Sequence, residues 1–210
     1  MIGGHTKQSG RMNLVNDIPI TEDNFNHINC IIEIPKGTNT KYEYDEELNV
    51  FRLDRCLVSS LQYPINYGFV PKTIALDNDP LDVLVFNHDP IDRGSLVSCR
   101  ALGVLEFIDE GEIDNKLIVV PHWSPPEKYK TLRDIEEEHL KIYRQFFKIY
   151  KIDRKSETRV GQWRGATKAM EIIKDSNERW IRANKERMHE EWRNKVFFSN
   201  LRNKFTIQPD

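Results

Sequence analysis

Asp77-Asn78-Asp79-Pro80-Leu81-Asp82-Val83-Leu84-Val85-Phe86 joins three carboxylates on a tight turn directly to an apolar strand. Asn78 and Pro80 are turn formers, and Val83 to Phe86 is a short apolar run of the kind that fills a buried strand. Three neighbouring anions at the mouth of such a strand repel one another and raise each other's pKa unless cations compensate them. Hard oxygen ligands of this type favour Mg²⁺, Mn²⁺ or Ca²⁺. An EF-hand is excluded, because no glycine stands sixth from Asp77 and the twelfth residue is His88 rather than Glu. A zinc site finds no His or Cys close by in sequence. A plain solvated acidic turn is the simplest competing account.

Outward from this stretch, strand-like text runs from Ile28 to Val120. Ile31-Ile32-Glu33-Ile34 stops at Pro35-Lys36-Gly37, and Lys41-Tyr42-Glu43-Tyr44 alternates charged and aromatic residues. That alternation places Lys41 and Glu43 on one sheet face and the two tyrosines on the other. Leu96 to Leu105 and Leu117 to Val120 are further apolar runs. Turn formers separate the strands: Pro64 with Gly68, Pro71, Asn78 to Pro80, Pro90 with Gly94, and Gly111. Short strands at this spacing, without helical patterns between them, imply a small closed or nearly closed barrel. Beyond Pro121 the period changes. Thr131 to Asp134 resembles a capping box, and Leu132, Ile135, His139, Tyr143, Phe146, Phe147 and Tyr150 recur three or four apart. A second helix is expected from Gly165-Ala166 through Ala169, Met170, Ile173 and Trp180, followed by a polar tail with Trp192, Phe197 and Phe198. One β-barrel domain flanked by C-terminal helices is the simplest architecture.

Composition narrows the function. The 210 residues are 39% hydrophobic and 30% charged, enough for a core and a water-facing surface. No window approaches a membrane-spanning apolar run. The sequence MIGGHTKQSGRMNLVND has no apolar segment of the kind a secretory signal needs, so a cytoplasmic location is expected. Cys30, Cys56 and Cys99 are odd in number and widely spaced, as expected of reduced thiols. Residues 1–150 hold 16 Lys and Arg against 24 Asp and Glu, whereas residues 151–210 hold 15 against 9. An acidic barrel segment argues against a nucleic-acid-binding module, which needs a basic groove lined with aromatics.

A second acidic stretch, Asp109-Glu110-Gly111-Glu112-Ile113-Asp114-Asn115-Lys116, lies between two apolar strands and reads alone as a hairpin turn. A third set is basic and hydroxylated: Lys41, Arg55, Tyr63, Tyr67, Lys116, Tyr150 and Lys151. Singly, each reads as a solvated or snorkelling side chain. Gathered opposite a carboxylate-bound cation, they would hold a compact phosphate-containing polyanion. Neither GxxxxGK[ST] nor GxGxxG occurs, and GxSxG is absent as well. A two-metal phosphodiesterase or nuclease shares the carboxylate pattern, but so many phosphate ligands for one pocket point to a small substrate.

Taken in order, Ile32-Glu33-Ile34-Pro35, Lys41-Tyr42-Glu43, Asp54-Arg55, Tyr63-Pro64-Ile65-Asn66-Tyr67-Gly68 and Asp77 to Val83 strongly resemble family I soluble inorganic pyrophosphatase. The resemblance continues through Arg100, Gly103-Val104-Leu105, Asp109, Asp114, Lys116, Val120-Pro121, Phe146 to Lys151 and Val160-Gly161-Gln162-Trp163, covering about residues 28–175. It implies an α+β fold with a mainly β core, a five-stranded OB-like barrel flanked by C-terminal α-helices. The whole chain, 1–210, would be a single domain with extensions at 1–27 and 181–210.

The implied activity is hydrolysis of inorganic pyrophosphate to two phosphates, which drives biosynthetic reactions that release pyrophosphate. Several Mg²⁺ per site are implied, with Mn²⁺ or Zn²⁺ as substitutes. By the same resemblance, Asp77, Asp82 and Asp114 are ligands of a tight activating metal, and Asp82 bridges to a second. Asp109 and Asp114 hold a metal that arrives with substrate, and Glu33 lies near a further one. Asp79 is the general base. Lys41, Arg55, Lys116, Tyr150 and Lys151 hold the phosphates, Tyr67 stands beside the nucleophile and leaving group, and Glu43 and Tyr63 support the pocket. Asn78 stands where the family commonly has Gly. A homo-oligomer, hexamer or dimer, is implied, with no nucleic-acid or membrane partner.

Overall fold

In the computed structural model, residues 12–58, 60–152, 157–185 and 189 are described. The elements are β1 (Ile28–Ile34), β2 (Thr40–Asp45), β3 (Val50–Cys56), β4 (Asn66–Phe69), β5 (Asp82–Val85), β6 (Leu96–Asp109), β7 (Glu112–Ile113) and β8 (Lys116–Pro121). A 3₁₀ turn (Leu132–Asp134), α1 (Glu137–Ile149), β9 (Thr158–Gly165) and α2 (Ala166–Ala183) follow. β1 pairs with β4, β4 with β5, β5 with β8, β8 with β6, and β6 again with β1. The pairings therefore close a ring of five strands, as the expected barrel requires, with no free edge within it. Only β5–β8 is parallel among these pairs. β2 and β3 form a separate two-stranded hairpin beside the ring.

Both faces of the ring are covered, which explains its continuous apolar runs. Val83 and Val85 of β5 and Leu117 and Val119 of β8 join one cluster, with Ala169 and Ile173 of α2. Their neighbours Leu84, Ile118 and Val120 join a second cluster, with Tyr143, Phe146, Phe147 and Tyr150 of α1. Successive residues thus alternate between two cores, as the two-residue period of a strand dictates. All three cysteines are free, with Cys30 and Cys99 buried.

Several elements depart from the expected pattern. The stretch around Gly68 was read as a turn and is strand β4. Gly68 serves close strand approach here: a Cβ would lie 1.8 Å from the Ile31 carbonyl oxygen. Strands β3 and β9 carry too many charged and polar residues to announce themselves, and β9 is recruited by long-range pairing with β6. The Thr131 capping box is present, yet it caps only the 3₁₀ turn. Ile135 is extended, so α1 starts at Glu137 instead of Leu132. The second helix begins at Ala166 as expected. Trp192, Phe197 and Phe198, with most of the C-terminal extension and residues 1–11, lie outside the described residues.

Candidate active site

One end of the ring opens into a cavity of about 390 Å³. Every predicted site residue except Arg55 lines it: Glu33, Lys41, Glu43, Tyr63, Tyr67, Asp77, Asp79, Asp82, Asp109, Asp114, Lys116, Tyr150 and Lys151. Arg55 sits on β3 directly across from Lys41, paired with Asp54, and two of its guanidinium nitrogens are buried without a hydrogen-bond partner. The sequence reading did not single out Glu46, and it treated Glu110 and Glu112 as turn residues. All three line the cavity.

The acidic turn owes its shape to short local bonds. Asn78 takes the left-handed backbone with φ of 72°, which a short polar side chain tolerates where a branched one would not. The Asp79 amide donates to Asp77 Oδ1 at 3.1 Å. Thr73, fully buried, donates from its hydroxyl to the Val70 carbonyl at 2.6 Å and accepts from the Leu81 amide at 2.8 Å, fixing the entry to β5. From behind, the Ile74 amide bonds the Ser176 carbonyl of α2, and Arg179 bonds the Ile74 carbonyl. Asp77 and Asp79 are thereby held at the mouth, and Asp82 at the first position of β5.

The floor is a buried polar knot. Lys116, 1% exposed, opens β8 and places its ammonium 2.5 Å from Asp82 and 2.9 Å from Asp114. The Tyr67 hydroxyl donates to the same Asp82 oxygen. Burial alone would lower the Lys116 pKa, but Asp82 and Asp114 outweigh it and hold the ammonium charged well above the ordinary lysine value. Burial pushes the Tyr67 phenol well up, and the Asp82 charge adds to the effect. Also lining the cavity, Lys151 is paired with Asp109, whose Oδ1 is buried without a partner. At the rim Lys41 contacts Glu43, as the alternation of β2 requires, and lies 3.5 Å from Asp54.

Charge in this cavity is out of balance. Ten carboxylates line it against three lysines. The strain is visible in the acids: burial pushes Glu33 up to about 8 and raises Asp114 against the pull of the Lys116 ammonium, with Asp82 adding to both. Asp77 and Asp79 are raised as well, first by enclosure and then by neighbouring carboxylates. Protons or additional cations must balance the excess. Among the described residues no three acids converge on a common metal position as they stand. Two of them, Asp82 and Asp114, instead share the Lys116 ammonium. The donor set, all oxygen with no His or Cys, and the orphaned Asp109 Oδ1 fit hard divalent cations.

Comparison with known proteins identifies the family. The family model described as inorganic pyrophosphatase matches residues 30–181. The chain belongs to the inorganic pyrophosphatase family. It is 39% identical over 173 residues to the inorganic pyrophosphatase of Aquifex pyrophilus, an alignment covering 80% of this chain and 98% of that one. To the enzyme of Halalkalibacterium halodurans it is 44% identical over 147 residues, 70% of this chain and 90% of the relative. The crystal structure of the Thermus thermophilus inorganic pyrophosphatase superposes with a TM-score of 0.76 at 32% identity, covering 80% of this chain and 99% of that chain. Members of this family depend on a divalent metal, which is the charge the cavity needs.

Proposed function

We propose that the cavity hydrolyses pyrophosphate to two phosphates with Mg²⁺ as the divalent metal, several ions being held per site. Family membership makes the chain a pyrophosphate-splitting hydrolase, and the observation that supports the site assignment is the ten-to-three excess of carboxylates over lysines in one cavity. Asp77, Asp82, Asp109, Asp114 and Glu33 would hold the cations. When bound, these neutralise the substrate's charge and acidify water. Asp79, exposed to the cavity at its mouth with a raised pKa, takes the proton from the attacking water. Lys41, Lys151, Lys116, Arg55 and the Tyr150 hydroxyl hold the phosphates in line for attack and stabilise the charge that gathers on their oxygens. Tyr67, kept protonated by burial and by Asp82, donates a hydrogen bond at the floor. Glu43 and Tyr63 support the walls, the first by orienting Lys41 and the second by packing on Tyr67 and Phe146.

The chain acts as a single domain, in the cytoplasm, as a homo-oligomer of hexameric or dimeric form. No helix among the described residues is long and apolar enough to cross a membrane. The testing experiment is phosphate release from pyrophosphate with Mg²⁺ and with EDTA, run beside a nucleotide and a polynucleotide. Two phosphates per pyrophosphate, abolished by EDTA and absent with the other substrates, is the expected result. Cleavage of the polynucleotide, or no release with any divalent metal, would overturn the reading.

A further inference from the structure

The hairpin β2–β3 carries Lys41, Glu43 and Arg55 but stands outside the ring, so something must fix its distance from the acids. At one edge it is tied by Arg93, whose guanidinium lies 3.2 Å from the centre of the Tyr42 ring while its Nε donates to the Glu33 carbonyl at 2.7 Å. Its far end is held by the segment before β1. The Leu14 amide donates to the Tyr44 hydroxyl at 2.9 Å, and Asn13 Nδ2 donates to the Glu46 carbonyl at 3.2 Å. Asn16 Nδ2 donates to Glu46 Oε2 at 2.7 Å, while its Oδ1 accepts from Trp180 Nε1 of α2 at 2.9 Å. Between them the Val15 carbonyl accepts from the Lys72 amide, at 2.7 Å, in the loop that leads to Asp77. Val15 and Ile18 are buried against Ile31 and Phe69, with Tyr44 and Phe51 packed on the same cluster. Four residues thus touch the hairpin, the acid-bearing loop and the helix behind that loop.

We propose that Asn13–Asn16 is a positioning strap that sets the hairpin's phosphate-binding groups against the acids, with Asn16 as its key positioning residue. Its single carboxamide spans hairpin tip and helix, so removing it breaks the one side-chain link described between the two and loosens the hairpin's hold. The Tyr44 backbone amide also donates to Glu33 Oε1 at 2.7 Å, so the strap's hold on the Tyr44 ring reaches the cavity wall as well. Asp79 and the Lys116 knot lie on elements the hairpin does not carry. Loss of the strap should therefore weaken substrate capture more than turnover. The inference rests on Lys41 being a substrate ligand, as proposed above.

The test is a double-mutant cycle on the full chain, with KM and kcat measured for Mg²⁺–pyrophosphate and melting temperature recorded for each protein. Asn16→Ala should raise KM about fivefold, the scale of one ordinary net hydrogen bond, and leave kcat within about twofold. In a Lys41→Ala background the same substitution should change KM by less than about twofold, because the group it positions is gone. A merely structural role would give the same factor in both backgrounds and overturns the proposal. Tyr44→Phe, which removes the hydroxyl that accepts from Leu14 and donates to Asn49 Oδ1 at 2.7 Å, should raise KM in the same direction, and more than Asn49→Ala, which breaks only the bond inside the hairpin. It keeps the question open to measurement if Asn16→Ala folds poorly, and a KM no higher than that of Asn49→Ala overturns the proposal too. If Lys41→Ala raises KM while Asn16→Ala does not, the strap alone falls. If Lys41→Ala leaves KM unchanged, the substrate role of Lys41 fails, and the coupling falls with it.

Discussion

The floor and the rim of the cavity solve the same electrostatic problem in opposite ways. On the floor Lys116, Asp82, Asp114 and Tyr67 are built into strands of the closed ring or the turn before β8, within a few ångströms of one another and nearly out of water. At the rim Lys41 and Arg55 ride a two-stranded hairpin attached by a cation–π contact, a few hydrogen bonds and the packing of Tyr44 and Phe51 on one small apolar cluster. A buried charge network is strong and fixed, and breaking it leaves uncompensated charge in a poor solvent. Lys41 and Arg55 are themselves largely enclosed, at 18% and 11% exposed, so what sets the rim apart is its carrier: a hairpin outside the ring can adjust as a substrate arrives. The floor therefore governs chemistry and stability together, whereas the rim governs capture. That division can be broken experimentally.

The largest effect should come from the group at the mouth between the two regions. Asp79→Asn keeps size and hydrogen bonding while removing the base, and activity should fall about 10²- to 10⁴-fold. The melting temperature should stay within about 3 °C, because the side chain is exposed to the cavity. Phosphate release under saturating Mg²⁺ decides it. Turnover within a few-fold of the parent would remove Asp79 from the role.

Next is Lys116→Met, which fills the space but strands Asp82 and Asp114. In EDTA, urea denaturation should show a loss of about 3–5 kcal/mol, the usual cost of removing one partner from a buried ion pair. A loss under about 1 kcal/mol would mean that the two carboxyls do not depend on the ammonium, and the floor would then be no more committed than the rim.

The acids make a third test through pH. Glu33, pushed up to about 8 by burial, binds more protons folded than unfolded between its ordinary value near 4.5 and pH 8. Stability of the metal-free protein should be fully present below that window and lost as pH rises through it. Divalent cations replace those protons, so Mg²⁺ should flatten the decline. Melting curves from pH 5 to 8, with EDTA and with Mg²⁺, read this directly; parallel flat profiles would show that burial does not hold the Glu33 carboxyl protonated.

The same division explains what could be read from the amino acids. The acidic turn and its strand were legible because local chemistry forces them: turn formers, three anions and a buried run stand in ten consecutive residues. Asn78 was expected to tolerate the turn, and its positive φ bears this out. Ring closure was only implied, since the β6–β1 and β5–β8 pairings join segments dozens of residues apart. β4 hid behind Gly68, because a glycine required by backbone proximity looks the same in sequence as one required by a turn. Glu46 and the Asn13–Asn16 segment gave no signal at all. Their positions depend on where α2 and the hairpin meet, and a lone Asn or Glu in a polar stretch is indistinguishable from a solvated one.

The smallest effects belong to the rim, and they separate its two cations. Lys41 lines the cavity, whereas Arg55 sits behind it on the partner strand, with two guanidinium nitrogens buried and unpartnered. Lys41→Ala should raise KM for pyrophosphate about tenfold with a smaller fall in kcat, since one charge-assisted contact is lost from the rim. Arg55→Lys keeps the charge but loses the planar fork, and it should raise KM only about threefold if the guanidinium contacts phosphate at a single edge. A larger effect at Arg55 than at Lys41 would reverse the order that their placement predicts. It would mean that the hairpin turns on binding to bring the unpartnered nitrogens into the cavity. The rim would then be the moving part of a site whose floor stays still.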